Sequence, residues 1–323
     1  MKDSEYQMIE ELKAGQCSVE RGLLMVSVLG EEGIANYQRK LDQIQRDFEQ
    51  ATENGPQNRY ETAQSLFHFL WRDNTLSSQL KSGFLLTEII DNKLAGFNSF
   101  GNCVGLTSLY SVLGIRQGLD LTILYNTSHI LNRLYYGEKE VWIENTNEEG
   151  FDCSLMKRHT FWESDFKVLV SAALNSRALL KKESGELAEA RSDLTKAIEV
   201  EPRFPVAYTN RAIINADLGD LSKAMQDCDK ALELKPDYAE AFNNRGIIKF
   251  HPLQDIEGAI ADYNRAIVIN PNYAAPFFNR GVAKEYWGDL VGAMEDYRLV
   301  LALDPKHKKA ADQIKNMAKP VTV

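Results

Sequence analysis

Three residues in the first half of the chain are of types that do covalent chemistry together: Cys103, His129 and Glu144. Cys103 follows the polar run Phe97-Asn98-Ser99-Phe100-Gly101-Asn102 and opens an apolar stretch, Val104 to Leu113, that reads as a helix. A cysteine at a helix N-terminus meets unpaired amides and the positive end of the helix dipole, and both favour the nucleophilic thiolate. In sets of these residue types an imidazole takes a thiol proton, and a carboxylate orients the ring and stabilises the imidazolium. The chemistry open to such a set is acyl transfer, in which the thiolate attacks an amide or ester carbonyl and a thioester passes its acyl group to water or to an amine.

These side chains meet only if the surrounding elements bring them together. Two strand-like runs, Leu119 to Tyr125 and Ile130 to Tyr136, follow the helix, then a turn at Gly137-Glu138 and a third run, Val141 to Glu144. If the last two strands form a hairpin with a two-residue loop, paired residues have numbers adding to an odd total, which puts His129 and Glu144 on one face. Asn145 then points the other way unless an odd-length loop shifts the register. Before residue 100 the apolar spacing is helical over Val19 to Val28, Ile34 to Phe48 and Tyr60 to Trp71, with a break at Gly55-Pro56.

Over about residues 95–155, Gly101-Asn102-Cys103, Ser128-His129-Ile130 and Trp142-Ile143-Glu144-Asn145-Thr146 resemble the transglutaminase-like superfamily. Its motifs read Gly-x-Cys, His opening a strand, and Asp-x-Thr after an aromatic strand. The resemblance implies an α+β, papain/transglutaminase-like domain with Cys103 as nucleophile, His129 as base, Glu144 orienting the imidazolium, and the oxyanion held by the Cys103 amide with a side-chain donor from Asn98 or Asn102. The family usually has Asp where Glu144 stands, so Asn145 or Asn147 is open as the third member instead.

The second half is periodic. Ala-Ile/Leu-x-x-x-Pro endings close at Pro202, Pro236, Pro271 and Pro305, separated by 34, 35 and 34 residues. Counting back from each proline puts Ala178, Ala212, Gly246 and Gly281 at the eighth position of each period, and Ala190, Ala224, Ala259 and Ala293 at the twentieth. Ala197, Ala231, Ala266 and, in the last period, Val300 follow at the next small position. Gly185, Gly219 and Gly288 mark turns, whereas the third period has His251-Pro252-Leu253-Gln254 and one extra residue. Over roughly residues 165–317 this pattern closely resembles the tetratricopeptide family, in which two antiparallel helices form each unit and neighbouring units bury each other's apolar faces. The resemblance implies an all-α solenoid of four repeats, with Lys306 to Ala318 as a capping helix. It also implies a groove lined by the first helix of each repeat, into which Asn210, Asn244 and Asn279 project to contact a peptide backbone. Arg211, Arg245 and Arg280 follow them, offering planar donors to a ligand carboxylate or to acidic residues of the neighbouring helix.

The whole chain has 323 residues and a formal net charge of -9, so it offers no broad basic surface for nucleic acid or an anionic membrane. Cysteines at 17, 103, 153 and 228 have neither zinc-site nor disulfide-framework spacing, and no metal or cofactor is expected. The longest apolar stretch, Leu23 to Leu29, is too short to span a bilayer, and the start is polar and acidic, so the expected location is cytoplasmic. The expected domains are 1–160, transglutaminase-like with a helical lead-in, and 161–323, four repeats with a capping helix. The expected function is that of a cysteine-dependent acyl-transfer enzyme acting on a protein or peptide recruited by the repeat groove. The alternative is a non-catalytic interaction or scaffold protein whose first domain is degenerate.

Overall fold

A computed structural model describes residues 2–27, 31–52, 55–56, 58–71, 85–94, 102–126, 129–146, 150–153, 161–251 and 253–317. The chain divides into two compact units: Met1–Leu180 with Thr195–Pro202, and Lys181–Leu194 with Arg203–Val323.

Among the described residues of the first unit, helices α1 (Lys2–Lys13), α2 (Val19–Val26), α3 (Glu31–Ala51), α4 (Arg59–Trp71) and α5 (Leu86–Leu94) precede α6 (Cys103–Arg116). Helix α6 is buried on every side from Val104 to Gly114, which is why its sequence is apolar all round rather than striped. Its hydroxyls are satisfied internally: Ser108 and Ser111 donate to the carbonyls of Val104 and Thr107, and Thr107 donates to Ile130 O at 3.1 Å. At its C-terminal end the helix comes so close to the sheet that a Cβ on Gly114 would lie 2.6 Å from Leu121 Cδ1.

The sheet comprises β1 (Leu121–Tyr125), β2 (Ile130–Tyr136), β3 (Lys139–Ile143) and β4 (Trp162–Ser164), in the order β3-β2-β1-β4 with every pair antiparallel. The β2–β3 hairpin closes through the two residues Gly137-Glu138, with Tyr136 opposite Lys139 and Asn132 opposite Ile143, so paired numbers do add to an odd total. Gly137 takes φ +61°, a left-handed value that glycine adopts without a Cβ clash. β4 had no counterpart in the sequence reading, because three residues are too few to display an alternation. Helix α7 (Lys167–Glu183) then begins, and Val170 on it lies against Gly22 of α2.

The second unit takes in part of α8 (Leu187–Val200) and then runs in helix pairs: α9 (Pro205–Asp217) with α10 (Leu221–Leu234), α11 (Ala239–Phe250) with α12 (Ile256–Ile269), and α13 (Ala274–Trp287) with α14 (Leu290–Leu303). Helix α15 (Lys308–Met317) packs on α14, with Ala310 buried and Ile314 and Met317 against the same cluster. The small residues mark the closest contacts: Ala212, Ala224, Ala259, Ala293, Ala231 and Ala266 are fully buried.

The eighth position is matched in size to a residue sixteen or seventeen places later. A Cβ on Gly246 would lie 2.6 Å from Tyr263, and one on Gly281 would lie 2.7 Å from Tyr297, whereas Ala212 shares its cluster with the smaller Cys228. Glycine is therefore used where the second helix presents a ring, and alanine where it presents a thiol. The turns Gly219 and Gly288 sit at φ +81° and +91°. In the third repeat Gln254 takes that role at φ +54°, a strained conformation for a side chain with a Cβ. Among the described residues no helix is long and apolar enough to cross a membrane.

Candidate functional site

In the second unit the first helices α9, α11 and α13 lie side by side. Positions three or four apart share a helix face, so each asparagine is followed on its own face by an aliphatic residue: Asn210 by Ile213, Asn244 by Ile247, and Asn279 by Val282. All six are half-buried. Asn279 Nδ2 donates to Asn243 Oδ1 at 2.8 Å, and Asn243 Nδ2 donates to Asn244 Oδ1 at 3.3 Å, so a chain of amides crosses from α13 to α11. That arrangement leaves the Asn279 carbonyl and the Asn244 amino group without a partner among the described residues. Asn243, the buried bridge, was missed in the sequence; the doubled Asn243-Asn244 was the available signal.

The arginines are committed to their own solenoid. Arg211 holds Asp227 through Nε at 2.9 Å and Nη2 at 2.7 Å. Arg245 holds Asp262 in the same two-pronged way and reaches back to Asp229 of the preceding repeat at 2.7 Å. Arg280 repeats the pattern with Asp296 and with Asn264. The three aspartates inside these forks are nearly buried, and Lys249 and Lys284 add a second cation to Asp262 and Asp296. The hydrogen bonds to Asp262 raise the Arg245 guanidinium above its ordinary value. Of the two sequence readings for these arginines, the fork to the neighbouring helix is the one observed.

In the first unit Cys103 is the first residue of α6 and is half-buried. Asn102 is its N-cap, and the Asn102 Oδ1 accepts from the N–H groups of Val104 and Gly105 at 3.0 and 3.1 Å. The Asn102 carboxamide is thus turned into the helix end. Asn98, Gly101, Ser128 and Asn147 lie outside the described residues.

His129 is set by its loop: its N–H donates to Asn126 Oδ1 at 2.8 Å, and the Asn126 N–H donates back to His129 O. Its side chain is half exposed, with Nδ1 3.5 Å from Glu144 Oε2. Glu144 is almost wholly buried and held at three points. Its N–H donates to Gly150 O, and its Oε1 accepts from the Thr146 N–H and hydroxyl at 2.9 and 2.6 Å. Oε2 has no hydrogen bond of its own. Asn145 faces the opposite side, donating to Asn132 Oδ1 at 2.8 Å in a buried polar network with Thr107 and Ser111.

The Cys103 thiol is pushed up to about 11, first by burial and then by the negative charge of Glu144. Hydrogen bonds from the N–H groups of Ile130, Val104 and Cys103 itself pull the other way. The structure therefore pairs His129 with Glu144 and sets Cys103 against the backbone at Ile130, next to His129.

Three family models match the chain, all in its second half: "Tetratricopeptide repeat" at residues 171–204 and 205–238, and "TPR repeat" at 249–285. Solved structures are similar over less than half of the chain. The first TPR of Spaghetti (RPAP3), bound to an HSP90 peptide, is 28% identical over 36% of this chain and 93% of its own, with a TM-score of 0.34. PilF of Pseudomonas aeruginosa is 21% identical over 46% of this chain and 67% of its own, and the type IV pilus biogenesis factor PilW is 24% identical over 46% and 68%; both have a TM-score of 0.43. No curated protein matches significantly. The C-terminal region is an all-helical tetratricopeptide-repeat solenoid, and the N-terminal region combines helices with a small sheet.

Proposed function

We propose that this chain is a protein-interaction scaffold whose repeats hold a peptide segment of a partner protein across α9, α11 and α13. Residues 161–323 form the binding array, and residues 1–160 form a companion domain without catalytic duty. The observation that carries this reading is the amide chain of Asn244, Asn243 and Asn279. It leaves one donor and one acceptor open on a single face, which matches the C=O and N–H of an extended peptide. Asn210 extends the row by one repeat. The test is selection of peptides from a random library displayed on phage against the full chain. Asn244→Ala and Asn279→Ala should each weaken the recovered peptide about tenfold, the worth of one net hydrogen bond, with the circular dichroism at the binding temperature unchanged and the thermal midpoint lowered by the loss of a partner to the buried Asn243. Recovered peptides indifferent to both substitutions would overturn the reading.

A second reading keeps the first region as a transglutaminase-like cysteine enzyme, and the approach of His129 to Glu144 favours it. His129 would take the Cys103 proton, the thiolate would attack an amide or ester carbonyl, and a thioester would form as the C–N or C–O bond breaks and the amine or alcohol leaves with the proton held by His129. The Cys103 amide, with a side-chain donor from Asn98 or Asn102, would hold the oxyanion. Against it stands the Cys103 thiol, pushed up to about 11 by burial and by the charge of Glu144, away from the thiolate. An electrophilic acyl-thiol probe that labels wild type and spares Cys103→Ala and His129→Ala would favour the enzyme. Absence of labelling would leave the scaffold.

A further inference from the structure

Resting on that interaction reading, we infer that the peptide held by α9, α11 and α13 is apolar and neutral to basic, and that acidic peptides are excluded. The three helices carry five cations: Arg211, Arg245, Lys249, Arg280 and Lys284. Every one is spent on a nearly buried aspartate: Arg211 on Asp227, Arg245 and Lys249 on Asp262, and Arg280 and Lys284 on Asp296, at 2.5 to 3.0 Å. A ligand carboxylate could recruit a guanidinium only by drawing it out of a two-pronged pair and stranding the aspartate behind it, which the low-dielectric interior opposes.

Of the carboxylates on the same helices, Asp217 is paired with Lys182 at 3.6 Å, while Glu240 and Glu285 carry no ion pair among the described residues. Glu240 lies one turn before Asn244 on the same face of α11. Glu285, one turn after Val282, accepts only the Tyr297 hydroxyl, at 2.6 Å. Between them the face is aliphatic and aromatic. Ile213, Ile247 and Val282 follow the asparagines, and Tyr286 is 70% exposed with its ring edge-on to Phe250 at 5.8 Å. Unpaired negative charge around an apolar strip fits apolar side chains flanked by Lys or Arg, and the exposed rings offer cation–π contacts to the same cations.

The experiment compares composition in the phage selection and then swaps charge. Peptides recovered by the full chain should be enriched in Lys and Arg beside Leu, Ile, Val or an aromatic, and depleted in Asp and Glu. Replacing the basic residues of the tightest peptide with Glu should weaken its Kd tenfold or more. Glu240→Lys, at a half-buried position, should erase at least half of the logarithmic difference between the two peptides. Recovery of Asp- or Glu-rich peptides that Asn244→Ala releases would overturn the charge inference and leave the interaction reading standing. Peptides that ignore Asn244→Ala would sink both.

Discussion

At Cys103 two local effects oppose each other, and the sequence displays only one of them. The helix N-terminus was legible from the apolar run after Cys103, and the pairing of His129 with Glu144 was legible from parity across the Gly137-Glu138 turn. Burial of the sulfur and the nearness of a buried carboxylate were not, because both depend on how α6 sits against the ends of β2 and β3. Burial and the carboxylate win and push the thiol from an ordinary 9.0 to about 11. A two-unit rise lowers the thiolate fraction near neutrality about 100-fold. Carboxamidomethylation of Cys103 by iodoacetamide at pH 8, followed by peptide mass spectrometry, should therefore run about two orders of magnitude slower than for a free cysteine. The rate should climb steadily to pH 11, and Glu144→Gln should speed it by removing the negative charge. A rate at pH 8 equal to that of a free thiol would mean that the amides of Ile130, Val104 and Cys103 dominate instead.

Within the elements, the period of 34 fixed where each helix pair must begin, and the size matching of Gly246 with Tyr263 and of Gly281 with Tyr297 explains why the eighth position tolerates only small residues. The aspartate partners of the arginines were harder to read, since nothing in a one-dimensional pattern says that a charge sixteen residues on will be buried. The irregular third turn was visible as the extra residue after His251. The structure adds the physical consequence, which is that Gln254 occupies the left-handed region at φ +54° where its counterparts are glycines. Relieving a Cβ there costs some unfolded-state entropy and still leaves a net gain. Gln254→Gly should raise the free energy of unfolding by about 0.5–1 kcal/mol in urea titrations followed by circular dichroism, with the slope m unchanged. A loss of stability would show that the Gln254 side chain makes compensating contacts.

Across the whole molecule, the sequence period and the compact units divide the chain differently. The period assigns residues 171–204 to one repeat, but α7 as far as Leu180 and the stretch Thr195–Pro202 group with the first unit. Periodicity records the geometry of a helix pair and is silent about which core covers the pair's outer faces. Arg177 of α7, for instance, donates to the carbonyl of Val26 in α2. What the units share is a set of acids kept neutral by burial. In the first the Cys103 thiol is pushed up to about 11, and in the second burial pushes the Cys228 thiol and the Tyr273 phenol up to about 12. The unfolded chain ionises these groups at their ordinary values of 9.0 and 10.0, before the folded chain does. The folded state then binds more protons, so stability is full below about pH 9 and is lost as pH rises towards the folded values. Each thiol contributes a slope of at most about 1.4 kcal/mol per pH unit. Urea midpoints should thus be flat from pH 7 to 8.5 and fall above pH 9. Cys228→Ala should start lower at pH 7 for want of packing, yet decline less steeply between pH 9 and 11. Parallel declines in the two proteins would show that this buried thiol does not couple ionisation to folding.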